Sequence, residues 1–247
     1  MEYNSLFTFG CSWTYGFGLP DMFHLSGPRK DHNIAEVPTN FTKKTYKPHG
    51  SNWAWGKQLA GLLGDNIPFY NFAVSGASNK EIVHWITKCI QNNMIEPNDL
   101  VVIMWTSIGT RWMMYDGDEP INQFPPGLPG LRIIPEEDIV FYADYHNLKE
   151  ASIVNLQYMH YANLMLNEIG ATVKNYYTNQ ENKPSEQFPH ITSTLNLTNA
   201  HLHEDRVDFA EEYNSKTKVR QKDKHHGGVQ AHTKTALRIH KNMLTNG

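Results

Sequence analysis

The sequence predicts an α/β fold in which a mostly parallel central sheet of about five strands is covered by helices on both faces. Three observations predict it. Short apolar runs alternate with longer segments of helical spacing, the pattern of parallel strands joined by crossover helices. The run Leu100 to Trp105 is apolar throughout, as expected of a strand that has no solvent-facing side. Glycines follow the helical segments at Gly64 and Gly170, where a helix needs a stop that tolerates left-handed backbone.

Strand one is expected at about Leu6 to Phe9. A polar excursion from Pro20 to Gly50 follows, and then Trp53 to Leu63 carries Trp55, Leu59 and Leu62 at helical spacing. Strand two is expected near Phe69 to Ala73. Ser78 is placed to cap the next helix with Glu81 three residues on, and Ile82, Trp85, Ile86 and Cys89 form its apolar face. After strand three, the Pro- and Gly-rich stretch from Tyr115 to about Asp144 cannot be regular for long. A helix from near Lys149 to Glu168 aligns Val154, Tyr158, Tyr161 and Met165, strand four covers about Ala171 to Tyr177, and a last helix runs from Val229 to near Leu244.

Length suits a single α/β domain over residues 1–247 with long loops at about 20–50, 113–147 and 178–222. The loops should gather around the site, where aromatics such as Phe23, Trp112, Tyr115, Phe124, Phe141 and Tyr142 would suit a carbohydrate or acyl chain, or simply pack the loops down. A net charge of −3 supplies no basic field for nucleic acid or anionic lipid. No run approaches the roughly 18 apolar residues of a membrane span, and the amino terminus lacks the form of a signal peptide. A cytoplasmic protein without membrane or nucleic-acid partners is expected. Cys11 and Cys89 are too few for a disulfide framework. His201, His203, Asp205, His225 and His226 fit no zinc spacing, so neither metal nor cofactor is expected.

The chemistry concentrates at two distant places. Gly10-Cys11-Ser12 follows strand one, at the end of the sheet where open α/β folds bind ligands. Asp223-Lys224-His225-His226 lies more than two hundred residues later. A serine hydroxyl is a weak nucleophile at neutral pH until an imidazole takes its proton, and the imidazole needs a carboxylate to hold its tautomer. Ser12, His226 and Asp223 are the candidates for these roles. Cys11 is the rival nucleophile, but neighbouring residues of an extended chain point to opposite sides, so only one of the two can face the crevice. His225 is read as a solvated neighbour, and His232, inside the last helix, as a packing or capping residue.

These residues resemble the SGNH hydrolases, or GDSL-type esterases. Gly10-Cys11-Ser12 is similar to the family's first block, with Cys in place of Asp. Asn71 through Asn79 resembles the second block, and Asp223 with His226 the last. The third block departs from the family, since Thr106-Ser107-Ile108-Gly109-Thr110-Arg111 contains no Asn. The variant is similar to SGNH-like proteins encoded by phages. The resemblance implies a three-layer α/β/α fold of flavodoxin-like type and a cofactor-free esterase working through an acyl-enzyme. It implies Ser12 as nucleophile, His226 as base, Asp223 as its orienting acid, and the amides of Gly76 and Ser12 as oxyanion donors, with the hydroxyls of Thr106 and Ser107 as candidates for the missing third donor. Substrates would be O-acetyl or short acyl esters, carbohydrate esters included. The alternative is a catalytically silent SGNH-like module that binds glycan or serves in a virion.

Overall fold

The computed structural model describes residues 3–25, 41–46, 50–64, 66–106, 112–116, 119–123, 148–177, 193–200, 209–214 and 219–245; at 23–25, 112–116, 119–123, 148–151, 199, 209–214 and 219–225 it describes the backbone alone. Five strands form the main sheet: β1 (Leu6–Phe9), β2 (Phe69–Asn71), β3 (Leu100–Trp105), β6 (Thr172–Tyr177) and β7 (Thr198–Asn199). Their order is β2-β1-β3-β6-β7, and each neighbouring pair is parallel. This is the predicted α/β sheet, and β1 and β3 are fully buried, as their unbroken apolar sequences require.

The order fixes where a site can form. The chain passes from β1 outward to β2, then returns across β1 to β3, so the direction of winding reverses between β1 and β3. Parallel crossovers are right-handed, and the reversal therefore puts the connecting helices α2 (Trp55–Leu63) and α3 (Asn79–Gln91) on opposite faces. Two more helices complete the layers: α4 (Leu148–Ile169) packs on α3, and α5 (Val229–Thr245) packs on α2. The crevice above the carboxyl ends of β1 and β3 is the switch point at which such folds bind ligands.

Local chemistry explains where the elements depart from expectation. Helix α2 starts at Trp55 rather than Trp53, because the preceding turn is tied down: Ser51 Oγ donates to Asp21, Asn52 N–H donates to Asp21 Oδ2 at 2.6 Å, and Trp53 N–H donates to Ser51 Oγ at 2.9 Å. Strand β2 ends at Asn71, whose Oδ1 accepts the Ala73 N–H at 3.2 Å and turns the chain. Ser78 caps α3 as predicted, its hydroxyl accepting the Glu81 N–H at 3.2 Å.

Phe41 and Tyr46, expected within a loop beside the crevice, instead pack into the core. The Tyr46 ring stacks on Phe72 at 4.4 Å, Phe41 meets Phe72 in a tilted contact at 5.3 Å, and Phe72 in turn stacks on Phe9 at 5.5 Å. At the opposite end of the sheet from the crevice, Lys43 Nζ joins Glu96 at 2.7 Å and Asp99 at 3.4 Å, just before β3. Two stretches expected as loops contain antiparallel hairpins, β4 (Trp112–Asp116) with β5 (Glu119–Gln123) and β8 (Phe209–Asn214) with β9 (Val219–Gly227). Their sequences lack a clean alternation of apolar and polar residues, which is the signal that would have marked them.

Candidate active site

Ser12 opens α1 (Ser12–Tyr15), a single turn separated from β1 by Gly10 and Cys11. The turn is held from all sides by backbone acceptors. The Cys11 carbonyl takes the Thr14 and Tyr15 amides, each at 2.9 Å, and the Ser12 carbonyl takes those of Gly16 at 3.0 Å and Phe17 at 2.9 Å. Asn71 Nδ2 donates to the Thr14 carbonyl at 3.3 Å, and the Ser51 amide to the Tyr15 carbonyl at 2.9 Å. Gly10 is required here, because a Cβ at that position would stand 2.1 Å from Thr14 Oγ1. Cys11 belongs to the hydrophobic core at 2% exposure, and Ser12 beside it is buried as well, at 4%.

His226 reaches this serine from the other end of the chain, with Nε2 2.7 Å from Ser12 Oγ. It stands at the end of β9, and the hairpin is irregular where it matters. Regular pairing breaks between Glu211↔Lys222 and Phe209↔Gly227, so residues 223–226 of β9 stand opposite Ala210 alone. The alternation of sides is suspended over the stretch that contains both Asp223 and His226. The backbone of Asp223 belongs to this stretch; its side chain and that of His225 lie outside the described residues.

Aromatic rings hold His226 in place. Its ring lies 5.2 Å from that of Phe17 and 6.0 Å from that of Trp13. Gly227 lets the strand come this close, since a Cβ there would meet Ala231 at 2.6 Å and the Trp13 ring at 2.8 Å. Behind Trp13, at 5.8 Å, lies His232, which is fully buried in α5. Its Nδ1 accepts the Trp55 N–H at 3.1 Å and so caps the start of α2, the capping role expected of it, though on another helix. Burial first, and the proximity of His226 second, push the His232 pKa down to about 3. With Nδ1 accepting a hydrogen bond, the neutral ring carries its proton on Nε2.

Of the residues expected to hold an oxyanion, Gly76 has left-handed backbone at φ +88° in the loop after β2. Thr106 follows β3 directly and is buried. Both of its backbone groups are occupied by the side chain of Asn79, so only its hydroxyl could serve as a donor. Ser107 lies outside the described residues, as do His201, His203, Asp205, Phe124, Phe141 and Tyr142; the side chains of Phe23, Trp112 and Tyr115 do as well. Asn79 closes the stretch that resembles the second block, but no role of its own was read from the sequence. Among the described residues no three His, Cys, Asp or Glu side chains cluster as metal ligands would. No described helix is long and apolar enough to cross a membrane. A cleft of about 230 Å³ lies elsewhere, lined by Lys174, Tyr176, Asn196, Thr198 and Asn242 among others, and shares no residue with the Ser12 site.

The fold and the facing Ser12 and His226 define a class: an open α/β sheet with a serine-histidine pair at its switch point. Known structures similar to the chain include a lipolytic protein of the G-D-S-L family from Veillonella parvula, with a TM-score of 0.47, 12% identity and 96% of each chain covered. A lipase from a goat rumen metagenome shows a TM-score of 0.47 and 13% identity, again over 96% of each chain. A carbohydrate acetylesterase from Sinorhizobium meliloti shows 0.46 and 10%, covering 99% of this chain and 100% of its own. No family model matches the sequence, and no curated protein matches it. The chemistry of the site rests on its own geometry.

Proposed function

We propose that the chain is a serine hydrolase of SGNH type that cleaves carboxylic esters through an acyl-enzyme. The observation that carries the reading is the 2.7 Å contact between Ser12 Oγ and His226 Nε2, made across 214 residues of sequence. That distance is within reach for proton transfer. Ser12 Oγ attacks the ester carbonyl as its proton passes to His226 Nε2; the tetrahedral oxyanion collapses, and the alcohol leaves with the proton that His226 returns. Water then repeats the sequence on the acyl-enzyme, regenerating Ser12. Asp223, three residues before His226 on the irregular stretch of β9, is the residue we assign to orient the imidazole. The amides of Gly76 and Ser12 are assigned to the oxyanion, with the hydroxyl of Thr106 or Ser107 as third donor. O-acetyl and short acyl esters, including those on carbohydrate, are the substrates proposed.

A fluorophosphonate probe and p-nitrophenyl acetate test this together. The wild-type chain is expected to be labelled at Ser12 and to hydrolyse the ester. Ser12→Ala should abolish labelling and lower turnover by roughly 10⁴-fold or more, His226→Ala should cost several orders of magnitude, and Cys11→Ala should leave most of the activity. Chelation with EDTA should leave it intact. A wild-type protein that neither reacts nor hydrolyses would refute the enzyme and favour a silent binding module. Labelling at Cys11 would overturn the choice of nucleophile.

A further inference from the structure

The loop that carries Gly76 has to cross the end of β1, because β1 lies between β2 and β3 in the sheet. It is anchored on both sides of that crossing. The first anchor is main chain: the Phe72 N–H donates to the Thr8 carbonyl at 2.8 Å and the Val74 N–H to the Gly10 carbonyl at 3.1 Å, two residues before Ser12. The second anchor is one side chain. Asn79 Nδ2 donates to the Thr106 carbonyl at 3.2 Å, and Asn79 Oδ1 accepts the Thr106 N–H at 2.9 Å. The carboxamide thus pairs with the exit of β3 as a neighbouring strand would. Gly76 lies between the two anchors, on the span that passes over the end of β1.

Burial makes the second anchor firm. Asn79 is 0% exposed and Thr106 3%, so water does not compete for either hydrogen bond, and leaving them unmade is costly. The anchor is not needed to begin α3, since Ser78 caps that helix independently. With no exposed surface, Asn79 cannot touch substrate itself.

We infer that Asn79 is a positioning residue for hydrolysis, holding the Gly76 loop over Ser12 by clamping the exit of β3, where the third-block Asn is missing from this chain. The inference rests on Ser12 being the nucleophile and Gly76 an oxyanion donor. Asn79 acts through Gly76, so its loss should be felt in the transition state rather than in substrate binding. A misplacement of about 1 Å at a reacting centre can cost about 10²-fold.

The test compares wild type with Asn79→Ala and Asn79→Asp, the latter an isostere that keeps the acceptor for Thr106 N–H but sets a second oxygen against the Thr106 carbonyl. For each protein, kcat and KM for p-nitrophenyl acetate and the inhibition constant of an aryl trifluoromethyl ketone are measured on the folded fraction, with the thermal midpoint beside them. The ketone adds Ser12 Oγ to its carbonyl, passing the proton to His226 and leaving an oxyanion. Both variants should lose roughly 10- to 100-fold in kcat with KM within about twofold, and the ketone should weaken by the same factor as kcat falls. Unchanged kcat in folded variants overturns the inference, as does a lower thermal midpoint with unaltered ketone affinity, which is a purely structural role. A wild type inactive toward ester and ketone alike overturns the esterase reading and this inference with it, whereas an active wild type with unaffected variants overturns this inference alone.

Discussion

Ser12 and His226 stand together because single residues around them have no substitutes. One is Gly227, with space for no side chain between Ala231 and the Trp13 ring. Gly227→Ala should force the end of β9 or the Trp13 ring to move and so pull the imbedded imidazole away from Ser12. Esterase activity is expected to fall by roughly 10²-fold, in line with the cost of an ångström-scale misplacement, while far-UV circular dichroism stays native. Wild-type kcat in that variant would mean that His226 is not held by this contact. At this scale the pairing of Ser12 with His226 was legible. Ser12 and His226 could be named because a serine after a first strand and a histidine three residues beyond an acid are local patterns. Asn79 could not be named, because its meaning lies in Thr106, a contact formed only once β3 has been placed beside the Gly76 loop. His232 sits between these cases: a helix position could be read, but not the helix whose start it would cap.

Elements were legible where burial was two-sided. β1 and β3 were bounded to the residue, since a strand with no solvent face has an apolar sequence that starts and stops sharply. The hairpin β8–β9 was not expected, because the sequence from Phe209 to Gly227 is mostly charged and polar and carries no apolar alternation to mark it. Yet this hairpin delivers His226, and its irregularity frees residues 223–226 from strict alternation. Helix α3 shows the opposite case, with a start written in the sequence. Removing the Ser78 hydroxyl leaves the Glu81 amide without its buried acceptor, so Ser78→Ala should cost about 1 kcal/mol, within a range of about 0.5–2. Urea denaturation at neutral pH would read it, and a stability equal to wild type would show the cap to be idle.

At the scale of the whole molecule, one buried group couples the site layer to global stability. His232 joins α5 to the start of α2 through its Nδ1, and its ring lies 5.8 Å from that of Trp13, which also neighbours His226. In the unfolded chain this histidine titrates near its ordinary value of about 6.5, whereas in the fold it binds its proton only near pH 3. Between those values the unfolded state binds more protons, so unfolding is favoured as pH falls: the contribution of neutral His232 is complete above about pH 6.5 and is lost progressively toward pH 3. The slope approaches about 1.4 kcal/mol per pH unit within that window. His84, half-buried and also lowered by burial and then by Lys88, adds in the same direction, so the whole protein's slope alone would not isolate one group. The comparison with His232→Gln does, because the Gln carbonyl can still accept the Trp55 amide but carries no titrating proton. Urea denaturation at pH 5, 6, 7 and 8 should find the variant less stable at pH 8, for the ring packing it has lost, with the gap to wild type narrowing steadily below pH 6.5. Parallel stability curves across that range would show that His232 takes up its proton in the fold as readily as in the open chain, and that the link between α5 and α2 survives its charge.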